Sequence, residues 1–545
     1  MRTRNSRLLA VTALAAIGAA VYAAVSLAGP VSLTSVPSAN SKSLGFSPAS
    51  ILSPELQQTV VVQGSTKVEN PSLTSVSYYG YDNDLLNAAN EPIMVGSSAT
   101  GNREAHKTEP DKNTYLVFKQ GLQGADLNYN YGTHFLFQGH EGGSPGYITR
   151  INLDADAQHR VTVLATKDDQ GNNIATIDGS TWDPWAQRLL FTTENATKPT
   201  YSATPGFPST VHDVSGALGR GGYEGVQDDS DGNIWIVEDI GGAFKPAGCV
   251  SPACTTAKIP HSYVYRYVPK TPGDLANGKL QVLQVFNASN QLITEASQTP
   301  LTSPDQVALH TYGNVFDTKW KTIHDTALDG TAPFNANALS FGVGTPFKRP
   351  ENGLFQPDSK FKTFFFDETG DTDATSPENN CCGGWAGVFK LTQSDPSANT
   401  GKLTLFYKGD QAHAGFDNVA FFSKDQIAFV EDAGDTLHTQ RNALDSGYLF
   451  DANADYSTGL LPIRFLAEGR DASATADADN GGFPASPGGK NDGDNEITGI
   501  HVSDGDAEKN GILGAKVPNA FHGDWRVFYT QQHGDNPTYE VTAAK

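Results

Sequence analysis

Acidic residues close several strand-like runs of this 545-residue sequence. Three runs end in this way, namely NIWIVED with Glu238 and Asp239, LLFTTEN with Glu194 and Asn195, and QIAFVED with Glu431 and Asp432. Taken singly, such an ending is typical of a solvated strand end or a turn. Carboxylates that meet in space repel one another unless a cation lies between them, and Ca²⁺ takes about six to eight oxygen ligands. The recurrence therefore favours a shared calcium site to which distant parts of the chain contribute.

Short runs of alternating apolar and polar residues fill the chain from about Tyr115 onward. The 55 glycines and 30 prolines are typical of strands joined by turns. Several runs repeat one order, a polar turn followed by a strand that ends in an acid or an amide, and this loose repeat predicts an all-β fold built as a β-propeller. Insertions at 286–345 and 469–495 account for the irregular spacing. Trp235 and residues 364–366 are expected in the core.

The charge of the chain limits the classes of partner. The formal net charge is -22 at pH 7, and an acidic surface repels both nucleic-acid phosphates and anionic lipid headgroups. We therefore expect no nucleic-acid partner.

The first residues are typical of an export signal. Arg2, Arg4 and Arg7 precede an apolar run over 8–28, which predicts a signal peptide at 1–28 and a secreted, periplasmic or extracellular protein. An uncleaved membrane anchor is the alternative, because the run is long enough to span a bilayer. We expect an N-terminal linker or strap at 29–110 and a monomeric propeller at 111–545.

Four cysteines occur, Cys249, Cys254, Cys381 and Cys382. An even number in an oxidising compartment favours disulfides over zinc ligation, since the paired C-x-x-C spacing of a zinc site is missing. The sequence leaves all three pairings open.

Several motifs occur in an order that resembles the PhoX-type alkaline phosphatases, over roughly residues 110–540. They are GHEGG (139–143), LGRGGYEG (218–225), IVED (236–239), YVYRYVP (263–269), KRPE (348–351), GFDNVAF (415–421), NEITG (495–499) and QQHGD (531–535). The resemblance implies a secreted phosphomonoesterase on a six-bladed propeller that acts on small phosphorylated substrates. It also implies calcium and iron as cofactors.

By this resemblance Arg349 holds the phosphate, as a planar guanidinium is suited to do. The metal ligands that it implies are Glu194, Glu224, Glu351 and Glu496, with Glu141, Asp417, Glu238 and Asp239 as further candidates. His140 and His533 are candidates for ligands or proton carriers, or for histidines that only stabilise a loop.

Three positions depart from the family pattern. Thr192 stands where the family has a cysteine that binds iron, Tyr223 stands in place of a histidine, and Asn352 stands in place of a tryptophan. A hydroxyl is a poor substitute for a thiolate, so Ca²⁺ is the expected cofactor, and iron would require the thiolate that is missing here. Two other functions stay open, which are a non-catalytic calcium-binding propeller at the cell surface and a calcium-dependent propeller lactonase or esterase.

Overall fold

The computed structural model describes residues 31–38, 50–71, 76–94, 105–242, 257–298, 300–468, 496–532 and 535–545. The chain in these ranges is built from 26 strands and a few short helices, which confirms the predicted all-β class. The predicted signal peptide, Cys249, Cys254, His533 and the insertion at 469–495 lie outside the described residues.

Most strands belong to six consecutive groups, in which each strand pairs antiparallel with the next. After β1 (Ser50–Leu52) and β2 (Leu56–Val62), the first three groups are β3–β6 (Thr114–Val117, His134–Gln138, Ile148–Asn152, Val161–Ala165), β7–β10 (Ser180–Asp183, Arg188–Phe191, Tyr201–Ala203, Val211–Asp213) and β11–β14 (Tyr223–Asp228, Ile234–Glu238, Val264–Pro269, Gly278–Phe286). After β15 (Val315–Asp325), the others are β16–β19 (Gly353–Phe355, Thr363–Glu368, Gly387–Gln393, Thr400–Lys408), β20–β23 (Phe416–Phe421, Gln426–Glu431, Ser446–Asp451, Ile463–Glu468) and β24–β26 (Ile497–Ser503, Arg526–Gln531, Thr538–Ala543).

The first strands of the six groups form a closed ring. β3 packs against β7, β7 against β11, β11 against β16, β16 against β20, β20 against β24, and β24 against β3. The groups are therefore the six blades of a β-propeller, which confirms the predicted fold.

The N-terminal segment completes two blades. β2 pairs with β26 as the outermost strand of blade 6, with Gln57 opposite Thr542. β1 pairs with β23 at the edge of blade 5. The segment 29–110, which the sequence assigns to a linker or strap, thus supplies strands to the propeller.

Most inner strands of the blades are buried on both faces, so the polar residues of the predicted alternating runs are buried together with the apolar ones. All five residues of β12 are buried. Trp235 on this strand lies 5.0 Å from the rings of both Trp320 and Phe355 and joins blade 3 to its neighbour. The predicted core positions Trp235 and 364–366 are buried.

The insertion at 286–345 also carries regular structure. Its strand β15 pairs with both β14 and β19 and so merges blades 3 and 4 into one nine-stranded sheet. The helices are α1 (Ser215–Leu218), α2 (Pro304–Leu309), α3 (Thr326–Asp329), α4 (Ala336–Ser340) and α5 (Gly434–Arg441), with 3₁₀ turns at Tyr456–Thr458 and Lys509–Gly511. Among the described residues, no helix has the length and apolar character that crossing a membrane requires. Cys381 and Cys382 form a disulfide with each other.

Candidate metal centre on the propeller axis

Polar side chains gather at one end of the axis because of the strand directions. The innermost strand of each blade begins at this end, and the second strand, which is antiparallel to it, ends there. We call the residues at the starts of the innermost strands the first ring, namely Lys112, Asp178, Glu224, Glu351, Asp417 and Thr498. We call those that follow the second strands the second ring, namely Glu141, Glu194, Asp239, Thr369, Asp432 and Gln532.

Irregular strand starts position the first ring. The pairing registers of β11, β20 and β24 shift near their beginnings, around Glu224, Asp417 and Thr498. A bulge of this kind re-aims a side chain that regular alternation would point elsewhere.

Each first-ring residue is followed by glycine or asparagine, and at two glycines the reason is steric. A Cβ atom on Gly179 would lie 2.1 Å from the Glu224 carbonyl oxygen. A Cβ atom on Gly225 would lie 2.7 Å from Oδ1 of Asn352. Neighbouring blades therefore approach too closely here for a larger residue.

Seven carboxylates from the two rings and the adjoining chain form one connected cluster, which we call the carboxylate cage. It consists of three overlapping groups whose oxygen atoms lie within 4.8 Å of one another, namely Asp111, Glu141 and Asp178; Asp178, Glu194 and Glu224; and Glu224, Glu351 and Asp417. All are buried except Glu141, which is half-buried, and Glu194, which is exposed. The cage is thus closed at its base and reaches solvent on the side of Glu194.

Several oxygens of the cage have no hydrogen-bond donor among the residues that the structure describes. Within the described chain, both carboxylate oxygens of Asp178 and Oδ2 of Asp417 are buried without a hydrogen-bond donor. Burial and then the charge of Asp111 raise the pKa of Asp417 to about 8. Burial followed by the charges of Asp178 and Glu351 raises the pKa of Glu224 well above its usual value. Unpaired oxygens at this spacing fit a hard cation such as Ca²⁺.

Arg349 lies beside the cage in a left-handed backbone conformation with φ of 57°. Its Nε donates to Oδ2 of Asp239 at 2.5 Å, and Nη2 lies 3.1 Å from Oε1 of Glu351. Burial opposes the charge of Arg349, but Asp239 and Glu351 outweigh this effect and hold its pKa well above the usual value. Two carboxylates therefore fix the orientation of a permanent cation.

Neutral donors orient the carboxylates around it. The Thr369 hydroxyl donates to Oε1 of Glu351 at 2.7 Å, and Nε2 of Gln532 donates to Oε2 of Glu141 at 2.6 Å. The Thr498 hydroxyl donates to Oδ1 of Asp111 at 2.6 Å. At three of the four ring positions that lack an acid, the residue present thus binds a neighbouring acid.

The structure brings together most of the predicted site residues. Glu141, Glu194, Glu224, Glu351 and Asp417 belong to the cage, and Asp239 holds Arg349. Glu496 is half-buried, and its pKa is raised well above the usual value by burial and then by Asp432 and Glu141. It therefore borders the cage without joining one of the three groups.

Glu238 is placed elsewhere. The backbone N–H of Tyr263, the hydroxyl of Tyr265 and Nδ2 of Asn337 all donate to its Oε2, at 3.1, 3.0 and 2.9 Å. Burial raises the pKa of Glu238 to about 7. Its described contacts are those of an acid packed between strands.

Three residues that depart from the family pattern, or were candidates in the sequence, make structural contacts. The Thr192 hydroxyl donates to the backbone carbonyl of Glu224 at 2.6 Å, and the Tyr223 hydroxyl donates to the Leu218 carbonyl at 2.8 Å. The His140 ring lies between the hydroxyls of Thr108 and Thr149. Burial lowers the pKa of His140 to about 3, as expected for a neutral loop-stabilising histidine.

Asp111, Lys112 and Asp178 were not among the residues predicted from the sequence. Asp178 stands before glycine in IDGS, the pattern of an ordinary turn. The available signal was the recurrence of an acid followed by Gly or Asn before strand runs, as in IDG, YEG, PEN and FDN.

Fold and site together define a β-propeller with an acid-lined axis. PhoX of Pseudomonas fluorescens, in complex with vanadate as a transition state analogue, shares this fold with a TM-score of 0.53 and 11% identity, over 94% of this chain and 98% of that chain. This likeness supports a common propeller architecture and goes no further, so the resemblance to the family stays a prediction.

Other solved structures are more distant. The periplasmic gluconolactonase PpgL of Pseudomonas aeruginosa has a TM-score of 0.28 at 13% identity, over 76% of this chain and 98% of that chain. A catalytically inactive virginiamycin B lyase of Staphylococcus aureus with quinupristin has a TM-score of 0.32 at 11% identity, over 79% and 99%. No protein-family model and no curated protein sequence matches this chain.

Proposed function

We propose that this protein is an exported, calcium-dependent phosphatase that hydrolyses small phosphate monoesters. The observation that carries the proposal is the carboxylate cage, in which oxygens of Asp178 and Asp417 lack hydrogen-bond donors within the described ranges beside the anchored cation Arg349. The fold likeness to PhoX, described with a transition state analogue bound, supports the choice of phosphoryl chemistry.

In this proposal the seven cage carboxylates hold the calcium ions. When bound, such ions neutralise charge on phosphoryl oxygens and lower the pKa of water. Glu194, the exposed member, places the substrate side of the cage next to solvent. The buried members Glu224 and Glu351 fix the cage to the ends of adjacent blades.

Arg349 binds the phosphate. Its Nε and Nη2 are engaged by Asp239 and Glu351, whereas Nη1 has no hydrogen-bond partner among the residues that the structure describes. That free nitrogen is available to a phosphate oxygen, and the two carboxylates prevent the guanidinium from turning away. A fixed donor of this kind is most effective where negative charge develops in the transition state.

Calcium rather than iron is proposed because of Thr192. Its hydroxyl is committed to the backbone of Glu224, and a hydroxyl does not supply the soft thiolate that iron would share with oxygen ligands. The same observation favours a second candidate, a non-catalytic propeller that binds calcium for stability.

One assay separates the candidates. The purified protein, saturated with calcium, is incubated with an aryl phosphate, an aryl ester and a lactone, each with and without chelator. We expect release of phosphate only, and its loss on chelation. Hydrolysis of the ester or lactone alone would indicate a lactonase or esterase, and calcium binding without turnover would indicate the non-catalytic propeller.

A pair of variants on one strand provides the control. Glu224 and Asp228 are both buried acids of β11, but only Glu224 belongs to the cage. Glu224→Gln should abolish chelator-sensitive phosphate release, whereas Asp228→Asn should retain it. Equal activity of the two variants would contradict the proposed site.

A further inference from the structure

Blade 1 breaks the charge pattern of the first ring. Blades 2 to 5 place an acid at this position, whereas blade 1 places Lys112 there. The Lys112 side chain is buried, with 3% of its surface exposed. A lysine is almost never buried to this degree without a partner, so its surroundings are informative.

The Lys112 ammonium group lies between two amide oxygens. Nζ donates to Oδ1 of Asn352 and to Oδ1 of Asn418, both at 3.3 Å. Among the described residues, no carboxylate oxygen lies within 4.0 Å of Nζ. The two asparagines directly follow the cage residues Glu351 and Asp417 in sequence. The cationic group thus adjoins the cage while it contacts only neutral oxygens.

The amides are held with their oxygens toward Nζ. The backbone N–H of Gly499 also donates to Oδ1 of Asn418, at 2.8 Å. On their other side, Nδ2 of Asn418 and Nδ2 of Asn352 donate to Oδ1 of Asp417, at 2.6 and 3.4 Å. Convergent amide oxygens backed by carboxylates are a ligand set for a hard cation, and the ammonium group occupies the point where they converge.

We propose that Lys112 is a tethered cation that takes the place of one ion at the base of the carboxylate cage and so limits the number of ions that the cage holds. The inference rests on the proposed calcium site for its consequence, but not on phosphatase activity. The ammonium group is attached to the chain and cannot diffuse away, so while it is protonated it neutralises part of the charge of the cage.

Replacement of Lys112 by alanine tests whether Lys112 limits the number of bound cations. Lys112→Ala removes the ammonium group and opens a space beside the two amide oxygens. After equilibration with Ca²⁺ and K⁺ and removal of free ions, elemental analysis should find one more cation per chain than in the wild type. Lys390→Ala is the matched control, because this half-buried lysine of β18 lies against the Phe365 ring, and its loss should leave the count unchanged. A folded Lys112→Ala protein with the wild-type count would overturn the proposal.

Lys112→Met decides the case if the alanine variant does not fold, because methionine keeps the volume and removes the charge. Titration calorimetry should show Ca²⁺ binding at least about tenfold tighter than in the wild type, since a nearby positive charge has been removed. Unchanged or weaker Ca²⁺ binding would overturn the tethered-cation role. It would indicate that Lys112 only positions the amides of Asn352 and Asn418. If the wild-type protein bound no calcium, that result would contradict the proposed function instead. The number of K⁺ ions bound by Lys112→Ala would then still test whether Lys112 takes the place of an ion.

Discussion

Two clusters of buried carboxylates in this propeller differ in what neutralises them. In blade 5, Arg441 donates to both oxygens of Glu431, at 3.1 and 3.0 Å, and lies 3.3 Å from Asp445. In the carboxylate cage, both oxygens of Asp178 lack a donor within the described chain. The first cluster contains a protein cation in contact with both of its acids, whereas among the described residues Asp178 has no such partner. Buried acids paired with an arginine are typical of a structural cluster, whereas buried acids without a donor at this spacing fit a cation.

The same contrast occurs within pairs of neighbouring residues. Glu431 and Oε2 of Glu238 accept hydrogen bonds from protein donors, while Asp432 and Asp239, one residue further, belong to the second ring. Successive side chains of a strand point to opposite faces, so only one acid of each pair reaches the axis.

The largest expected effect concerns the two arginines. Arg349→Gln should lower kcat for an aryl phosphate by about 10³-fold, by analogy with arginines that stabilise phosphoryl transfer. Steady-state kinetics on calcium-saturated protein, with circular dichroism to confirm folding, measures this. Activity close to that of the wild type would remove Arg349 from the proposed mechanism.

Arg441→Gln should have the opposite profile. It leaves Glu431 buried without its partner, which costs about 3–5 kcal/mol of unfolding free energy. Denaturant unfolding should show this loss both with calcium and with chelator. The kcat of the folded fraction should stay near the wild-type value. If calcium restored the lost unfolding free energy, the Arg441 cluster would not be independent of the cage.

Chelation should remove the stability that ion binding at the cage contributes, and it should leave the Arg441 cluster unaffected. A ligand at about 100 times its Kd adds about 2.7 kcal/mol to stability, so removal of calcium should lower Tm by several degrees. Glu224→Gln should reduce this shift, because it weakens binding, and Arg441→Gln should keep it. An identical Tm with and without chelator in the wild type would argue against a bound ion.

A smaller effect than that of chelation is expected from pH on the stability of the metal-free protein. The pKa of Asp417 is raised from 3.8 to about 8 by burial, so the folded state retains a proton that the unfolded chain releases. The stability that this proton contributes is fully present at pH values below 3.8 and is lost as the pH rises toward about 8. Metal-free protein should therefore melt at a higher temperature near pH 5 than near pH 8, and Asp417→Asn should flatten the profile. A rise in Tm with pH would contradict the unpaired state of the cage.

The smallest effect is expected at Glu238. Glu238→Gln keeps the contacts to Tyr263 and Tyr265 nearly intact and should leave calcium affinity within about twofold of the wild type. Asp239→Asn, its neighbour, should change kcat because it releases Arg349. Titration calorimetry and kinetics on both variants would show whether Asp239 belongs to the functional site and Glu238 does not.

Local patterns in the sequence were sufficient for the strands and for part of the site. Alternating runs predicted the blades, and the strand-end acids Glu194 and Asp239 lie at the axis. The sequence did not distinguish Asp239 from Glu238, because the choice depends on which face of β12 meets Tyr265.

Other features depend on closure of the ring. Asp178 becomes part of the cage only because β7 packs beside β11, and no short pattern contains that contact. The role of Lys112 depends on Asn352 and Asn418, which are 240 and 306 residues away in sequence. The insertion at 286–345 likewise shows its strand only through pairing with two blades.

The pairing of β2 with β26 also sets the order of assembly. A ribosome releases β2 long before β26, so blade 6 cannot form until β26 has emerged. Until then the acids of the axis are ordinary solvated side chains on separate segments. Tight capture of an ion by the proposed site would thus mark a chain in which β2 has paired with β26, and a chain that stops before β26 would not hold the ion.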